Sequence, residues 1–380
     1  MGSVPAFAVV AAVAAAVTFV LVPLTARLAV RLGASREPDE HHIHTTPTPA
    51  AGGLAMLAGV VAAAGVAAAV PSVPDLLDAP GEILGGVAAA ALLFAVGFRD
   101  DTRDLSPPAK AAGMAAAGLV LYVAGISIEV FRVPFWDLVL LSQQWSILLS
   151  VVWVVGMANA VNLIDGLDGL AAGIVAIASG TFLLYGLRLV QEGVIDEANP
   201  GPMWAAVALG VCAGFLPHNL HPAQVFMGDG GALLLGGLMA AATVSVGGRS
   251  TVEFSGQAFF FYAPLLIPLV ILGVPVVDTV FAIVRRTVGR RGLAVADREH
   301  LHHRLMRLGH GHRRAVTVLW LWTALLSAFV LYPTYTGRGD GIVPVGIAAL
   351  ALALYTVFHP RFGRDAVEVD EEELNRLRDR

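Results

Sequence analysis

QWSILLSVVWVVGMANAVNLIDGLDGL, at residues 144–170, is an apolar run that ends in a cluster of polar side chains. Its first part approaches the roughly 20 residues that a membrane-spanning helix needs. Its second part has a polar side chain at every third residue: Asn159, Asn162, Asp165 and Asp168. Because polar groups beside hydrocarbon are costly, those found in membrane segments are usually functional. In a continuous helix of 3.6 residues per turn, side chains spaced by three rotate around the axis by about half a turn along this motif, so the four could not share one face. We therefore expect the helix to break at Gly166 or Gly169.

The composition is that of an integral membrane protein. Hydrophobic residues make up 57% of the 380 residues, charged residues only 14%, and the mean hydropathy is +0.74, outside the range of soluble domains. Since open sheet edges are not tolerated in lipid, we predict an all-α helical bundle. It has one transmembrane domain over 1–360 and an acidic cytoplasmic tail over 361–380. We predict about eleven spans, at residues 4–30, 51–70, 82–98, 107–125, 144–161, 167–188, 202–218, 229–247, 257–284, 315–333 and 341–359.

The distribution of lysine and arginine predicts the orientation of the chain in the membrane. No basic residue precedes the first apolar run, whereas Arg27, Arg31 and Arg36 follow it. This polarity is opposite to that of a cleaved signal peptide, so we predict a retained first helix with its N-terminus outside. The C-terminus and the arginine-rich loops are then cytoplasmic, at 31–50, 99–106, 162–166, 219–228, 285–314 and 360–380.

A cluster of acids closes the third predicted span. Asp100, Asp101 and Asp104 are close together in the sequence, and such carboxylates repel one another unless they share a cation. An ordinary polar loop would also contain acids, but Lys110, the only lysine in the chain, begins the next span. Its compact positive charge suits contact with a phosphate. The segment therefore indicates a site for a metal ion and phosphates.

A glycine-rich motif, FMGDGGA at residues 226–232, begins the eighth predicted span. Asp229 is a natural helix N-cap, which would explain it without any function. The flanking glycines would also let backbone amides approach a phosphate at the helix start. A carboxylate in this position becomes a good Mg²⁺ ligand once other oxygen donors join it.

Two histidine-rich segments fall in predicted cytoplasmic loops. The first, HHIH at residues 41–44, is followed by Pro47 and by the glycine pair 52–53, and loop rigidity and substrate contact are equal alternatives for it. The second would bind the diphosphate and base of a nucleotide through Arg298, His300, His302, His303 and Arg304. The alternative is that these histidines bind a zinc ion, although neither a cysteine nor a regular spacing of metal ligands supports it.

Together these motifs resemble those of the polyprenyl-phosphate N-acetylhexosamine-1-phosphate transferases. The family includes the phospho-MurNAc-pentapeptide translocase and the WecA-like GlcNAc-1-phosphate transferases. The resemblance extends from Pro47 to the histidine loop, whose form HLHHRL at residues 300–305 is similar to the WecA-like branch. It implies a bundle of ten or eleven spans with a cytoplasmic active site. It also implies Mg²⁺, with Mn²⁺ as a substitute, a UDP-amino sugar and a polyprenyl phosphate, with release of UMP.

The resemblance also assigns roles to individual residues. Asp100 and Asp101 match the paired aspartates of the family, and Asp229 matches its magnesium-binding aspartate. Catalytic roles are implied for these three residues, and a metal site is implied for Asp229, Asn162 and Asp101. Substrate contacts are implied for Lys110, Asp104, Asn162, Asp165, Asp168, His302 and His303, and the residue pattern itself predicts them for Asn159, Arg298, His300 and Arg304.

The implied activity is transfer of N-acetylglucosamine 1-phosphate from UDP-GlcNAc to undecaprenyl or decaprenyl phosphate in a bacterial plasma membrane. This step would initiate a cell-wall or surface glycan. A phospho-MurNAc-pentapeptide transferase is the alternative enzyme, and a metal or anion transporter is the alternative without catalysis. A transport path needs polar residues through the depth of the membrane, whereas here they gather at one face. No nucleic-acid partner is expected, and a homodimer is left open.

Overall fold

The computed structural model describes residues 3–31, 35–36, 48–69, 80–132, 138–248, 270, 272–273, 305–306, 310–338 and 340–358. Ten helices have their bounds within these residues. They are α1 (Ser3–Arg31), α2 (Gly52–Ala69), α3 (Pro80–Arg103), α4 (Pro107–Val123), α5 (Gln143–Ile164), α6 (Leu170–Gln191), α7 (Gly201–Asn219), α8 (Gly228–Gly247), α9 (His312–Thr336) and α10 (Ile342–Phe358). Two short antiparallel pairs complete the described structure: Ser35–Arg36 (β1) with Thr48–Pro49 (β2), and Val130–Arg132 (β3) with Leu138–Leu140 (β4).

Ten of the eleven predicted spans correspond to these helices. Eight of the ten, all except the 17-residue helices α4 and α10, are long and apolar enough to cross a membrane. This number indicates a polytopic membrane protein. The predicted span 257–284 lies outside the described residues except at 270, 272 and 273, so the count of eleven stays a prediction. The predicted boundary between domain and tail, at 360, also lies outside them.

α8 lies at the centre of the bundle. Its membrane-spanning window is entirely buried, and it packs against α2, α3, α5 and α7. Its sequence, GDGGALLLGGLMAAATVSVG, is rich in small residues, which let helix backbones approach closely in a membrane. A β-carbon at Gly236 would lie within 3.0 Å of the α5 backbone at Ala158. The central position of α8 therefore depends on the absence of side chains at such contacts.

α3 is longer than predicted. It continues to Arg103, five residues beyond the predicted end at 98, so Asp100 and Asp101 lie in its last turns and not in a loop. Asp104 ends the helix with φ +38°, in the left-handed region that aspartate tolerates better than most residues. Its N–H still donates to the carbonyl of Asp100, at 3.1 Å. The predicted substrate contact of Asp104, which is exposed, stays a prediction.

The polar segments meet at one end of the bundle, which we call the polar end. It comprises the last turns of α3, α5 and α7 and the first turns of α4, α8 and α9. Lys110 of α4 contacts Asp100 of α3 and Asn162 of α5, and His312 of α9 lies beside Asp168 of the α5–α6 loop. The acidic segments thus share one end, as predicted. The side of the membrane that this end faces stays a prediction.

Candidate active site

The ammonium group of Lys110 lies at the centre of a cluster at the polar end. Its Nζ is 2.8 Å from Oδ2 of Asp100, contacts Oδ2 of Asp229, and donates a hydrogen bond of 3.2 Å to Oδ1 of Asn162. We call Asp100, Lys110, Asn162 and Asp229 the lysine cluster. α3, α4, α5 and α8 contribute one residue each. The side chains of Lys110 and Asp229 are 16% and 26% exposed, so the cluster is sheltered but open to a ligand.

Local sequence fixes both Lys110 and Asp100. Pro107 and Pro108 form the first turn of α4, where proline is favoured because an N–H would have no helical partner. Lys110 follows within this turn, and its own N–H donates to the carbonyl of Ser106 at 3.0 Å. Oδ1 of Asp100 accepts a hydrogen bond of 2.7 Å from the Leu105 N–H. This bond leaves Oδ2 of Asp100 facing Lys110.

Asp101 holds the start of α8. Its Oδ1 accepts the N–H of Asp229 and its Oδ2 accepts the N–H of Gly230, both at 3.1 Å. The first N–H groups of a helix lack helical partners and carry partial positive charge, so a carboxylate stabilises them. Gly228 has φ +68°, and a β-carbon there would lie 2.5 Å from Oδ2 of Asp101. The amides that the sequence predicted to approach a phosphate therefore bind Asp101.

Gly97 lies one turn before Asp101 on α3 and touches the start of α8. A β-carbon at Gly97 would lie within 3.0 Å of the backbone of Asp229 and Gly230, closer than real β-carbons approach other atoms. The absence of a side chain therefore sets the separation of α3 and α8 at this level. Since Asp100 and Asp229 lie on these two helices, the separation also sets the width of the lysine cluster.

Gly97→Ala should lower the apparent melting temperature of the protein in detergent. The added methyl group meets backbone atoms, which cannot rotate away, and overpacking of this kind costs about 1–3 kcal/mol. Gly65→Ala is the matched control, because among the described residues no atom outside its own stretch of helix backbone lies within 4 Å of a β-carbon at Gly65; it should not lower the melting temperature. Equal melting temperatures for the two variants would contradict the close contact at Gly97.

The glycine pair at the start of α2 supports the loop that precedes Asp229. The N–H groups of Gly52 and Gly53 donate to the carbonyls of Phe226 and Met227, at 3.0 and 3.1 Å. The Phe226 N–H donates to the carbonyl of Pro49, at 3.0 Å. These backbone contacts favour loop rigidity over substrate contact for this glycine pair.

The helix break predicted in the 159–170 motif is confirmed. α5 ends at Ile164 and α6 begins at Leu170, and Gly169 before α6 has φ +76°. The N–H of Gly169 donates to Oδ1 of Asn219 at 3.0 Å, and the side-chain amide of Asn219 donates to the carbonyl of Val225 at 2.9 Å. Asn219 therefore joins the α5–α6 loop to the loop before α8.

The break sends the four polar side chains of this motif to different surroundings. Asn162 joins the lysine cluster, and Asn159 lies half-buried one turn earlier on α5. Asp165 is the C-cap residue of α5. Asp168, whose side chain is only 4% exposed, lies instead beside two histidines. The substrate contacts predicted for these residues stay predictions.

His221 and His312, which lie beside Asp168, were not predicted as site residues. Nδ1 of His221 is 2.7 Å from Oδ2 of Asp168, and Nε2 of His312 is 3.9 Å from the same oxygen. The two rings stack with their centroids 4.2 Å apart. No regular spacing in the sequence relates the three residues. In the described structure, packing of α9 against α6 and the hydrogen bond between Gly169 and Asn219 bring them together. The one available signal was that a buried aspartate needs a polar neighbour.

The residues of the basic histidine loop lie outside the described residues. These are Arg298, His300, His302, His303 and Arg304, and the first histidine segment, 41–44, lies outside them as well. The roles predicted for them stay predictions.

The lysine cluster has the donor chemistry of a magnesium site. Carboxylate and amide oxygens of Asp100, Asp229 and Asn162 converge on the point held by Nζ of Lys110, and Mg²⁺ takes oxygen ligands of this kind. Because one lysine offsets only one of the two carboxylate charges, the cluster can accept further positive charge. Of the predicted ligands, Asp229 and Asn162 face this point. Both oxygens of Asp101 face the amides of α8, and Asp100 supplies the third oxygen.

Comparisons with known proteins identify relatives of this chain. A family model described as glycosyl transferase family 4 matches residues 83–247, which include the whole lysine cluster. Decaprenyl-phosphate N-acetylglucosaminephosphotransferase of Mycolicibacterium smegmatis is 35% identical over 355 residues, 92% of this chain and 87% of that protein. A probable undecaprenyl-phosphate N-acetylglucosaminyl 1-phosphate transferase of Bacillus subtilis is 34% identical over 319 residues, 82% of this chain and 81% of that protein.

The phospho-N-acetylmuramoyl-pentapeptide-transferases are more distant relatives. That of Gemmatimonas aurantiaca is 30% identical over 341 residues, 77% of this chain and 82% of that protein. The identities and coverage, together with eight candidate spans, describe a multi-pass membrane transferase. The chain therefore belongs to glycosyl transferase family 4, the polyprenyl-phosphate N-acetylhexosamine-1-phosphate transferases whose motifs its sequence resembles.

Proposed function

We propose that this protein transfers N-acetylglucosamine 1-phosphate from UDP-GlcNAc to undecaprenyl or decaprenyl phosphate, at the cytoplasmic face of a bacterial plasma membrane. The observation that supports this most is the convergence of Lys110 with Asp100, Asn162 and Asp229 at one end of a membrane bundle. Such a cluster suits a substrate whose lipid lies in the membrane and whose phosphate lies at its surface. The names of the relatives support the sugar and the lipid acceptor.

In the proposed reaction, an oxygen of the lipid phosphate attacks the β-phosphorus of UDP-GlcNAc. The bond between this phosphorus and the bridging oxygen breaks, and the bridging oxygen leaves on UMP. One phosphoanhydride bond is exchanged for another, so little free energy is released and the step is reversible. Phosphoryl transfer of this kind depends mainly on positioning and on neutralisation of charge.

The chemistry of the acceptor limits what the protein must do. A phosphate monoester has a second pKa of about 6, so the lipid phosphate is mostly a dianion at neutral pH and needs no strong general base. We therefore assign Asp100 to positioning the acceptor and Lys110 to contact with its phosphate. A two-step route through an aspartyl-phosphate is the alternative.

Asp229, Asn162 and Asp100 would hold Mg²⁺, or Mn²⁺ in its place. The bound ion would offset the charge of the substrate diphosphate. Lys110 would then turn from the two carboxylates toward a phosphate. Asp101 would keep Asp229 in position through the first amides of α8. Asp101 would thus have a positioning role toward Asp229, and Asp100 would replace it as a metal ligand in addition to its role toward the acceptor.

Two alternatives have less support. A phospho-MurNAc-pentapeptide transferase would use the same cluster, but the relatives of that name are the more distant ones. A transporter needs polar residues through the depth of the membrane. Among the described residues, the lysine cluster and the group of Asp168, His221 and His312 lie at the polar end, and the family is one of transferases.

Purified protein should release UMP from UDP-GlcNAc only when polyprenyl phosphate and Mg²⁺ are both present. The acceptor is needed because its oxygen displaces UMP, and the cation is needed because the diphosphate is highly charged. UMP release is measured with UDP-GlcNAc, UDP-GalNAc and UDP-MurNAc-pentapeptide in parallel. Faster release from UDP-MurNAc-pentapeptide would favour the alternative enzyme, and release without the lipid phosphate would contradict the proposed transfer.

A further inference from the structure

Asp168, His221 and His312 form a second cluster at the polar end, which we call the histidine cluster. Its residues come from three separate parts of the chain: the α5–α6 loop, the loop after α7 and the first residue of α9. One ligand atom of each residue lies within 4.8 Å of the other two. We propose that the histidine cluster binds a second divalent metal ion of the borderline class, represented by Zn²⁺. The proposal does not depend on the proposed transfer reaction.

The separations of the ligand atoms fit a tetrahedral ion. Two ligands that each lie about 2.0–2.1 Å from a tetrahedral Zn²⁺ are about 3.4 Å apart. Oδ2 of Asp168 is 2.7 Å from Nδ1 of His221 and 3.9 Å from Nε2 of His312, so the two separations bracket this value. All three ligand atoms lie within 4.8 Å of one another, so movements of about 1 Å or less, with a turn of the stacked rings, would bring them around one ion.

The donor set separates this cluster from the lysine cluster. Two imidazole nitrogens and one carboxylate oxygen are typical ligands of Zn²⁺ and its neighbours among the transition metals. The lysine cluster offers oxygen atoms alone, which suits Mg²⁺. The histidine cluster would therefore bind Zn²⁺ while the lysine cluster binds Mg²⁺, and neither ion would displace the other.

Burial and supporting contacts also fit a metal site. The side chains of Asp168 and His312 are 4% and 9% exposed, whereas His221 is 29% exposed, so the cluster is sheltered on one side and open to solvent at His221. The Ala223 N–H donates to Oδ2 of Asp168 at 3.1 Å, and Arg313 donates to the His221 carbonyl at 3.1 Å. Such outer contacts orient metal ligands.

A bound ion would join elements that flank the candidate active site. The α5–α6 loop follows Asn162, and the loop after α7 precedes Asp229, so both connect directly to the lysine cluster. α9 follows the basic histidine loop in the chain. The ion would thus link the α5–α6 loop, the loop after α7 and the start of α9. Its fourth coordination position would be open to water.

The first measurement uses the wild-type protein alone. Protein purified in detergent is treated with a chelator, reloaded with ZnCl₂ in the presence of excess Mg²⁺, and freed of unbound metal. We expect one zinc per chain by elemental analysis and a zinc-dependent rise in the apparent melting temperature that Mg²⁺ does not reproduce. Co²⁺ in place of zinc should give the visible absorption of a tetrahedral site. Absence of stoichiometric zinc would overturn the proposal, whatever the enzyme's activity.

Three variants then locate the ion. His221→Ala and His312→Ala should lose the zinc. Asp168→Asn, which keeps an oxygen to accept the Ala223 hydrogen bond, should weaken zinc binding about tenfold or more, since even a change outside the ligands has that effect. A cluster held by hydrogen bonds alone would show no such change. His218→Ala is the control, because His218 lies nearby on α7 and bonds to the Phe19 carbonyl instead.

The basic histidine loop supplies the competing location. If the double variant with His302→Ala and His303→Ala loses the zinc while His221→Ala and His312→Ala keep it, the ion belongs to that loop and the proposal is wrong. If a variant fails to fold, the cobalt spectrum of the wild-type protein is used in its place. Bands typical of two histidine ligands and one carboxylate would support the histidine cluster, and their absence would contradict it.

Discussion

Asp229→Asn should lower the turnover of UMP release by about 1,000-fold, the upper end of what one lost electrostatic contact costs in an active site. The substitution keeps the shape of the side chain but removes the charge that faces Lys110. It also removes the strongest oxygen donor proposed for Mg²⁺. The backbone amide of residue 229 still binds Asp101, so α8 should keep its place. Steady-state turnover and the apparent melting temperature, measured together, separate chemistry from folding.

Asp196→Asn is the matched control for this substitution. Asp196 is exposed in the loop between α6 and α7, at the end of the bundle opposite the polar end, and accepts a hydrogen bond from the Ala198 N–H. An asparagine oxygen can accept the same bond, so turnover should stay at the wild-type level. Turnover of Asp229→Asn within tenfold of wild type would show that the lysine cluster is not the reaction centre.

The sequence predicted the helices and the polar end because both depend on local composition. A helix in lipid satisfies its own backbone, so the length of an apolar run largely decides where it begins and ends. Asn162 and Lys110 could be singled out because each is a costly or unusual residue beside an apolar span. Their contact, 52 residues apart in the chain, then follows from packing α4 against α5.

The role of Asp101 could not be predicted in the same way. Its two hydrogen bonds to the start of α8 require the close approach of α3 and α8 at Gly97 and the positive φ of Gly228. Neither of these is a property of the sequence near Asp101. The resemblance implied a metal site at Asp101 and not at Asp100, whereas in the folded protein Asp100 faces Lys110 and Asp101 faces backbone amides.

The histidine cluster illustrates the same limit over a longer distance. Asp168 lies in a motif that drew attention because of its spacing, but His221 and His312 are 53 and 144 residues away from it. A local pattern contains no information about such partners. Within the described residues, the packing of α9 against α6 and the bond between Asn219 and Gly169 bring the two loops and the start of α9 together.

Lys110→Gln should also lower turnover about 1,000-fold, and it should make the protein more responsive to Mg²⁺. Oδ2 of Asp100 and Oδ2 of Asp229 both contact the ammonium group of Lys110. Without this group the two carboxylates share no cation, and their like charges repel each other. A divalent ion would relieve this repulsion, so Mg²⁺ should raise the apparent melting temperature of Lys110→Gln more than that of wild type. Thermal unfolding in detergent over a series of Mg²⁺ concentrations measures the difference.

Lys110→Arg and Arg188→Gln complete the experiment. Arginine keeps the positive charge, but its guanidinium group is planar and cannot replace the compact ammonium group of Lys110. Lys110→Arg should therefore remain inactive, while its response to Mg²⁺ returns toward that of wild type. Arg188 pairs with Glu192 at the far end of α6, and its neutralisation should leave the Mg²⁺ response unchanged. Identical Mg²⁺ responses of Lys110→Gln and wild type would mean that the cation does not bind between Asp100 and Asp229, because removal of a competing charge must strengthen binding at a shared point.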